Sequence, residues 1–252
     1  MGRSVDTQRH ARIVRAALGL ITAALLLGAA VPGTVGAATY RDCSALTPAP
    51  GAAMQRCSLP GIVIIGQDLH GISFARSDLT GANAGCDPDL PRTNLFQAKL
   101  DRAIFVDALL CDAILSEADL HGSDLTGAAL EDAGLHRANL SWAILDGAGA
   151  GFAPFVDANL SNVSWQNGSG VGATFDRADL HRIDFRGTDL RASSFVDADL
   201  RYARLDGVDL TNADLTGANW RRATGLQSAL FSNTTCPDGT NSDANGGTCV
   251  GH

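Results

Sequence analysis

Aromatic residues are scarce in this sequence, at 6% of the chain, and lysine occurs once, as Lys99. A chain of 252 residues with so few large rings does not build an ordinary globular core, so it has to bury many small side chains in a regular way. No C-x-x-C occurs, which leaves metal ligation by cysteine without its usual motif. No glycine-rich phosphate loop opens a helix, and spacing assembles no Ser–His–Asp set. Positive charge is also in deficit: 19 Lys and Arg stand against 27 Asp and Glu, a formal net charge of −8. An acidic surface disfavours nucleic acid and anionic lipid as partners. Usage rich in arginine and poor in lysine suggests a bacterial source, so the N-x-S/T triplets carry little weight as glycosylation sites.

The N-terminus has the order of an export signal. Arg3, Arg9, Arg12 and Arg15 make a basic start, and Ala16 to Val31 is an uncharged apolar run. Pro32, Gly33 and then Gly36-Ala37-Ala38 follow. Basic, apolar and small in that order is the signal-peptide pattern, and the run is shorter than the roughly 20 residues that span a bilayer. Cleavage is expected after Ala37 or Ala38, an uncleaved anchor being the alternative. No cysteine directly follows the run and no two of the arginines are adjacent, which argues against a lipid anchor and a twin-arginine route. The expectation is a secreted, extracellular protein with no membrane span after cleavage.

From Leu90 to Trp220 every fifth residue is Leu, Phe or Trp, except Ala150 and Gly170. Two places before each such centre the residue is usually alanine, and the position between is often Asp or Asn, as in Ala118-Asp119-Leu120. A shorter run, Leu69, Phe74, Leu79 and Ala84, precedes it, and one extra residue near Cys86 to Asp89 shifts the frame. Five matches neither the 3.6-residue period of a helix nor the two-residue period of a flat strand. It suits a backbone that turns a corner every five residues, with one large and one small side chain inward and turn-forming Asp, Asn and Gly near the corners.

Four sides would close a circuit, so residues 20 apart should stack. The text supports that register: Leu100, Leu120, Leu140, Leu160, Leu180 and Leu200 form one column, and Phe155, Phe175 and Phe195 another. Outside the latter column, Glu117, Arg137, Asp157, Arg177 and Asp197 alternate in sign, as an opposite-charge ladder at about 4.8 Å spacing would.

These quintets resemble the pentapeptide repeat family, whose pattern is A-[DN]-L-x-x, over about residues 62–230. The resemblance implies an all-β fold: a right-handed quadrilateral parallel β-helix, a solenoid of about eight coils and roughly 37 Å long. The expected organisation is a signal peptide over 1–38, an N-terminal cap segment over 39–61, the β-helix over 62–230 and a disulfide-closed tail over 231–252.

Six cysteines suit an exported protein, and position suggests three local bridges: Cys43–Cys57, Cys86–Cys111 and Cys236–Cys249. The first and last would staple the ends of the coil, where a strand edge would otherwise lie open. Cys86 reaches Cys111 only if the inserted loop folds over. Ala150 and Gly170, flanked by Gly149, Gly151, Gly168 and Gly172, thin the core on one side. Either a shallow cleft lies there, or Trp165 or Phe155 fills the space from a neighbouring column. In the tail, Asn241, Asp243 and Asn245 followed by Gly246 occupy positions 1, 3, 5 and 6 of a calcium loop. The twelfth position would be His252 rather than a bidentate Glu, so a disulfide-closed polar turn is the expected reading.

Nothing in the pattern gathers catalytic groups. His121 and His181 share a side three coils apart, roughly 14 Å, while His70 and His136 belong elsewhere. Asp146 and Asp206 are equally far apart, too far for paired-carboxylate glycoside hydrolysis. A non-enzymatic exported scaffold is expected, without a cofactor, binding a protein or cell-envelope component. The resemblance also implies an alternative, since cytosolic family members mimic DNA and protect DNA gyrase. The export signal and the mixed ladder disagree with that, as does a basic patch of Arg182, Arg201, Arg221 and Arg222. An ice-binding face would want stacked threonines, and Thr211 and Thr216 stack with none.

Overall fold

The computed structural model describes residues 40–43 and 46–251. The export segment lies outside them.

Most quintets fold in the same way. At Asn94–Ala98, Leu95 and Ala98 are buried, and the Ala98 N–H donates to the Leu95 carbonyl at 3.0 Å. Phe96 and Gln97 lie at the tip, and Gln97 has φ +54. A four-residue turn with positive φ at its third position meets the requirement of a type II turn. Glycine takes this position at little cost, yet many quintets place Asp, Asn or Arg there, and even Trp142 (φ 64) and Phe152 (φ 59). Each non-glycine residue costs about 1–2 kcal/mol in that conformation, offset by the buried face it closes.

The Asp or Asn before each centre has a mechanical role. Asp119 Oδ1 accepts the His121 N–H at 3.2 Å, Asn159 Oδ1 that of Ser161 at 3.0 Å, and Asp209 Oδ1 that of Thr211 at 2.9 Å. These local bonds hold the chain as it leaves the side and enters the corner.

Successive circuits pair through single parallel bridges, such as Asn94 with Ile114, Asp119 with Asn139 and Asp184 with Arg204. The N–H groups of the sides donate up or down the stack, as from Leu120 to the Asn139 carbonyl at 2.7 Å. The result is a right-handed quadrilateral β-helix. At its N-terminal end β1 (Arg41–Asp42) pairs in parallel with β2 (Cys57–Ser58). Inside, Leu100 to Leu200 are buried along one wall, and Phe155, Phe175 and Phe195 stack at 5.0 and 4.8 Å with planes within 10°.

Three sequence expectations need correction. The frame shift is a six-residue loop rather than one residue, because Asp68 pairs with Asn94 and Asn83 with Leu109, 26 positions apart. Leu90 sits in that loop at 44% exposure and is no core centre, so the long register starts at Leu95. Stacking also exceeds 62–230 at both ends: Ala53 pairs with Ser73 over buried Met54, and Asp214 pairs with Thr235 beside buried Cys236. Periodicity alone missed the first of these coils because Met54 and Ile64 stand where the pattern has Leu, and Cys57 and Ile62 where it has Ala, although all four join or pack against the core.

Candidate functional site

The thin place in the core is occupied. Trp165 is fully buried, and its Nε1 donates to the Ala148 carbonyl at 3.1 Å. A Cβ added at Gly170 would lie 3.0 Å from Leu190 Cδ2 and 3.5 Å from Trp165 Cη2, while one at Gly168 would collide with the indole nitrogen. The small residues of that column are therefore the complement of one large residue in the adjoining one. On the outside, Phe152 is 66% exposed and lies over Gly172, where a Cβ would meet its ring at 2.6 Å.

The cysteines pair as Cys43–Cys57, Cys86–Cys111 and Cys236–Cys249. The second pins the six-residue loop to the corner of the following circuit, which is the fold-over that the bridge required. In the tail, Asn241 caps a 3-10 helix, Ser242–Asn245, by accepting the Asp243 N–H. Asp243 Oδ1 accepts the Asn233 N–H at 2.9 Å, and the Asn245 amide donates to Thr240 at 2.6 Å. The three calcium candidates are thus engaged separately in holding the turn. His252 lies outside the described residues. Among the described residues no group of three or more His, Cys, Asp or Glu is arranged to hold a metal ion.

The dispersed histidines and carboxylates stay dispersed. His121 bonds Ser141 at 2.9 Å and His70 bonds Asp68 at 3.0 Å. His181 Nδ1 is buried without a partner, its ring edge-on to Tyr202 at 5.2 Å. Asp146 accepts Ser164 Oγ and the Gln166 N–H.

Several outward arginines are neutralised in place by neighbouring carboxylates. In the ladder, Arg177 grips Asp157 at 2.8 and 3.1 Å, Arg137 stands 3.9 Å from Glu117, and Gln97 donates to Glu117 at 2.9 Å. It resolves into separate pairs rather than one continuous chain. A second device is the carboxylate followed two residues later by arginine: Asp184–Arg186, Asp189–Arg191 and Asp199–Arg201, each clamped through Nε and Nη2. The hydrogen bonds from Arg191 and Arg201 hold the Asp189 and Asp199 carboxyls below their ordinary value, against partial burial that works the other way.

One corner differs. Its left-handed turn residues include Arg56, Arg76 and Arg102 at one end, Trp142 midway, and Arg182, Tyr202 and Arg222 at the other. No acidic residue falls in this column. The five arginines are exposed, and among the described residues none is ion-paired. Tyr202 lies between two guanidinium groups: Arg182 is 5.7 Å and Arg222 5.4 Å from its ring centre, and Arg222 Nη1 donates to its hydroxyl at 2.6 Å. Sequence reasoning found Arg182, Arg201, Arg221 and Arg222 but missed Arg56, Arg76 and Arg102. The loop before Leu95 adds six residues to one circuit, and only a 26-residue step there brings all five arginines into line.

The profile described as Pentapeptide repeats matches this sequence in eight copies, over residues 93–132, 113–148, 153–191 and 193–223. Among solved structures, HetL is a pentapeptide repeat protein involved in heterocyst differentiation regulation from the cyanobacterium Nostoc sp. strain PCC 7120. It is 27% identical, over 79% of this chain and 95% of its own, with a TM-score of 0.53. QnrB1, a plasmid-mediated fluoroquinolone resistance protein, is 18% identical over 66% of this chain and 88% of its own, at a TM-score of 0.39. A pentapeptide repeat protein of the Arabidopsis thaliana thylakoid lumen is 21% identical over 46% of this chain and 69% of its own, at a TM-score of 0.20. No curated protein matches. With five-residue turns, four-sided coils and this profile in agreement, the chain belongs to the pentapeptide repeat family.

Proposed function

We propose that the protein is an exported, non-enzymatic scaffold whose rigid sides bind a protein or cell-envelope component. The observation that carries this reading is the unpaired basic and aromatic corner on a protein most of whose other arginines are paired with carboxylates. Arg, Tyr and Trp are the residue types that dominate binding energy at interfaces. Three disulfides with no free cysteine among the described residues suit an oxidising compartment, as does the basic, apolar and small order of residues 1–38. Every catalytic candidate raised by the sequence has a structural duty or stands alone. No helix among the described residues is long and apolar enough to cross a membrane.

Fractionation of the producing cells, with mass spectrometry of the mature N-terminus, tests export. The expected species starts at Ala38 or Thr39 and lies outside the cytoplasmic membrane. An intact chain in the cytoplasm refutes the reading and favours gyrase protection, against which the basic corner weighs because it breaks any uniformly acidic, DNA-like surface.

A further inference from the structure

From the basic corner we infer a binding site for an extended acidic polysaccharide, lying parallel to the coil axis. This deepens the exported-scaffold reading and rests on it for the place where such a polymer is met. The argument begins with shape. The column climbs one coil per step, about 4.8 Å at a time, from Arg56 to Arg222, so its cations and rings form a straight ridge roughly 38 Å long. A linear site of that length fits a linear ligand.

The chemistry along the ridge is graded. At one end Arg56, Arg76 and Arg102 follow one another on successive coils, and exposed Lys99 stands on the side leading to Arg102. At the other end Arg182 and Arg222 are held on the two faces of Tyr202, with Arg221 beside them. Packing against the ring restrains both guanidinium groups, and although Arg222 spends Nη1 on the Tyr202 hydroxyl, such restraint is the preparation that carboxylate recognition by the remaining donors needs. Between the two ends lie Ser161 and Asn162, which suit hydroxyl groups, and Trp142, whose ring is 61% exposed and suits the apolar face of a sugar. Cations at the ends and a neutral, hydrogen-bonding, aromatic middle match a polymer that carries both carboxylates and hydroxyls.

Other occupants fit less well. A peptide commonly docks by adding to a strand edge or filling an apolar groove. This ridge is convex, and the backbone N–H groups of Arg102, Trp142 and Arg182 are already spent on the carbonyls of His121, Ser161 and Arg201 in the next coil. A bilayer is flat and would meet only the crest. Each exposed guanidinium contact is weak alone, and a repeating polymer is the ligand that sums many of them through avidity.

The test is retention of the purified full chain on immobilised polygalacturonate, compared with neutral dextran, poly-L-glutamate and anionic vesicles, over a range of salt. The expected result is binding to polygalacturonate that falls steeply as salt rises, with none to dextran. Arg182→Ala with Arg222→Ala should weaken it about tenfold, and Arg56→Ala, Arg76→Ala and Arg102→Ala together by a similar factor. Trp142→Ala should weaken it severalfold while leaving the salt dependence unchanged. Arg137→Gln with Arg177→Gln, which removes the same charge from a different corner, should leave binding unaltered, and unchanged melting of each variant shows that the coil is intact. The inference is overturned if polygalacturonate is not retained at low salt, if the ladder variant loses as much binding as the ridge variants, or if poly-L-glutamate or vesicles are bound in preference. A cytoplasmic chain whose ridge still binds polygalacturonate would instead refute export alone.

Discussion

Replacing Trp165 by leucine and Gly170 by leucine, singly and together, tests whether the two columns compensate for each other. Trp165 is the largest of the fully buried side chains and contacts Phe155, Phe175 and Phe185 with ring centres 5.7 to 6.1 Å apart. Full truncation of such a side chain costs about 3–5 kcal/mol, so Trp165→Leu alone should cost about 2–3 kcal/mol, including the lost bond to the Ala148 carbonyl. Gly170→Leu alone drives atoms into Leu190 and the indole, from a Cβ already 3.0 Å from Leu190 Cδ2, and overpacking of that kind costs about 1–3 kcal/mol. In the double variant the new leucine enters the space the indole vacates, and each column regains the leucine that most centres carry. The cost should then fall about 1–3 kcal/mol below the sum of the singles. Urea unfolding followed by circular dichroism measures it. Additivity within about 0.5 kcal/mol would refute the reasoning, since it would mean that the indole does not occupy the space left at Gly170.

Leu140→Asp buries an unpaired carboxylate among Leu120, Leu160 and the facing walls, and should abolish cooperative melting of several coils at once, read by calorimetry. Ala192→Gly relieves an exposed left-handed turn position at φ 56 and should raise stability by about 0.5 kcal/mol despite the extra freedom glycine gives the unfolded chain; a lower melting midpoint would count against the strain assigned to these corners. The Asp189 and Asp199 carboxyls are depressed in the folded state by the hydrogen bonds from Arg191 and Arg201. Their contribution is therefore full above the ordinary carboxyl value of 3.8 and is lost as pH falls below it through the depressed folded values; Asp189→Asn with Asp199→Asn should flatten the melting midpoint against pH only in that acid range. Cys86→Ser with Cys111→Ser opens the bridge that closes a 25-residue separation and should cost about 2–4 kcal/mol, seen as faster proteolysis within residues 85–90.

The repeat was legible because a five-residue backbone turn makes the same demand on every quintet: a large apolar residue at the centre, a small one two places earlier, and an Asx turn between them. Leu120, Ala118 and Asp119 answer those demands in the text as plainly as in space. The Phe155, Phe175 and Phe195 stack followed from the same count, because four sides of five residues leave one register for side chains on a common wall. The cysteine pairs were suggested by position along the chain.

Other features depended on contacts between coils. Gly170 is glycine on account of Trp165, which belongs to a different wall, and no period in the sequence relates the two. Leu90 obeys the count of five and is nevertheless exposed, because the backbone there leaves the coil for a loop and its side chain has no wall to enter. That loop also displaced the numbering of everything before it, so the alignment of Arg56, Arg76 and Arg102 with Arg182 and Arg222 emerged only from the hydrogen-bonded stacking of one circuit on the next. Short-range turn chemistry is written residue by residue, and the sequence by itself determined it. Which surface residues share a ridge depends on how many residues each circuit consumes, and the tertiary structure alone decided that.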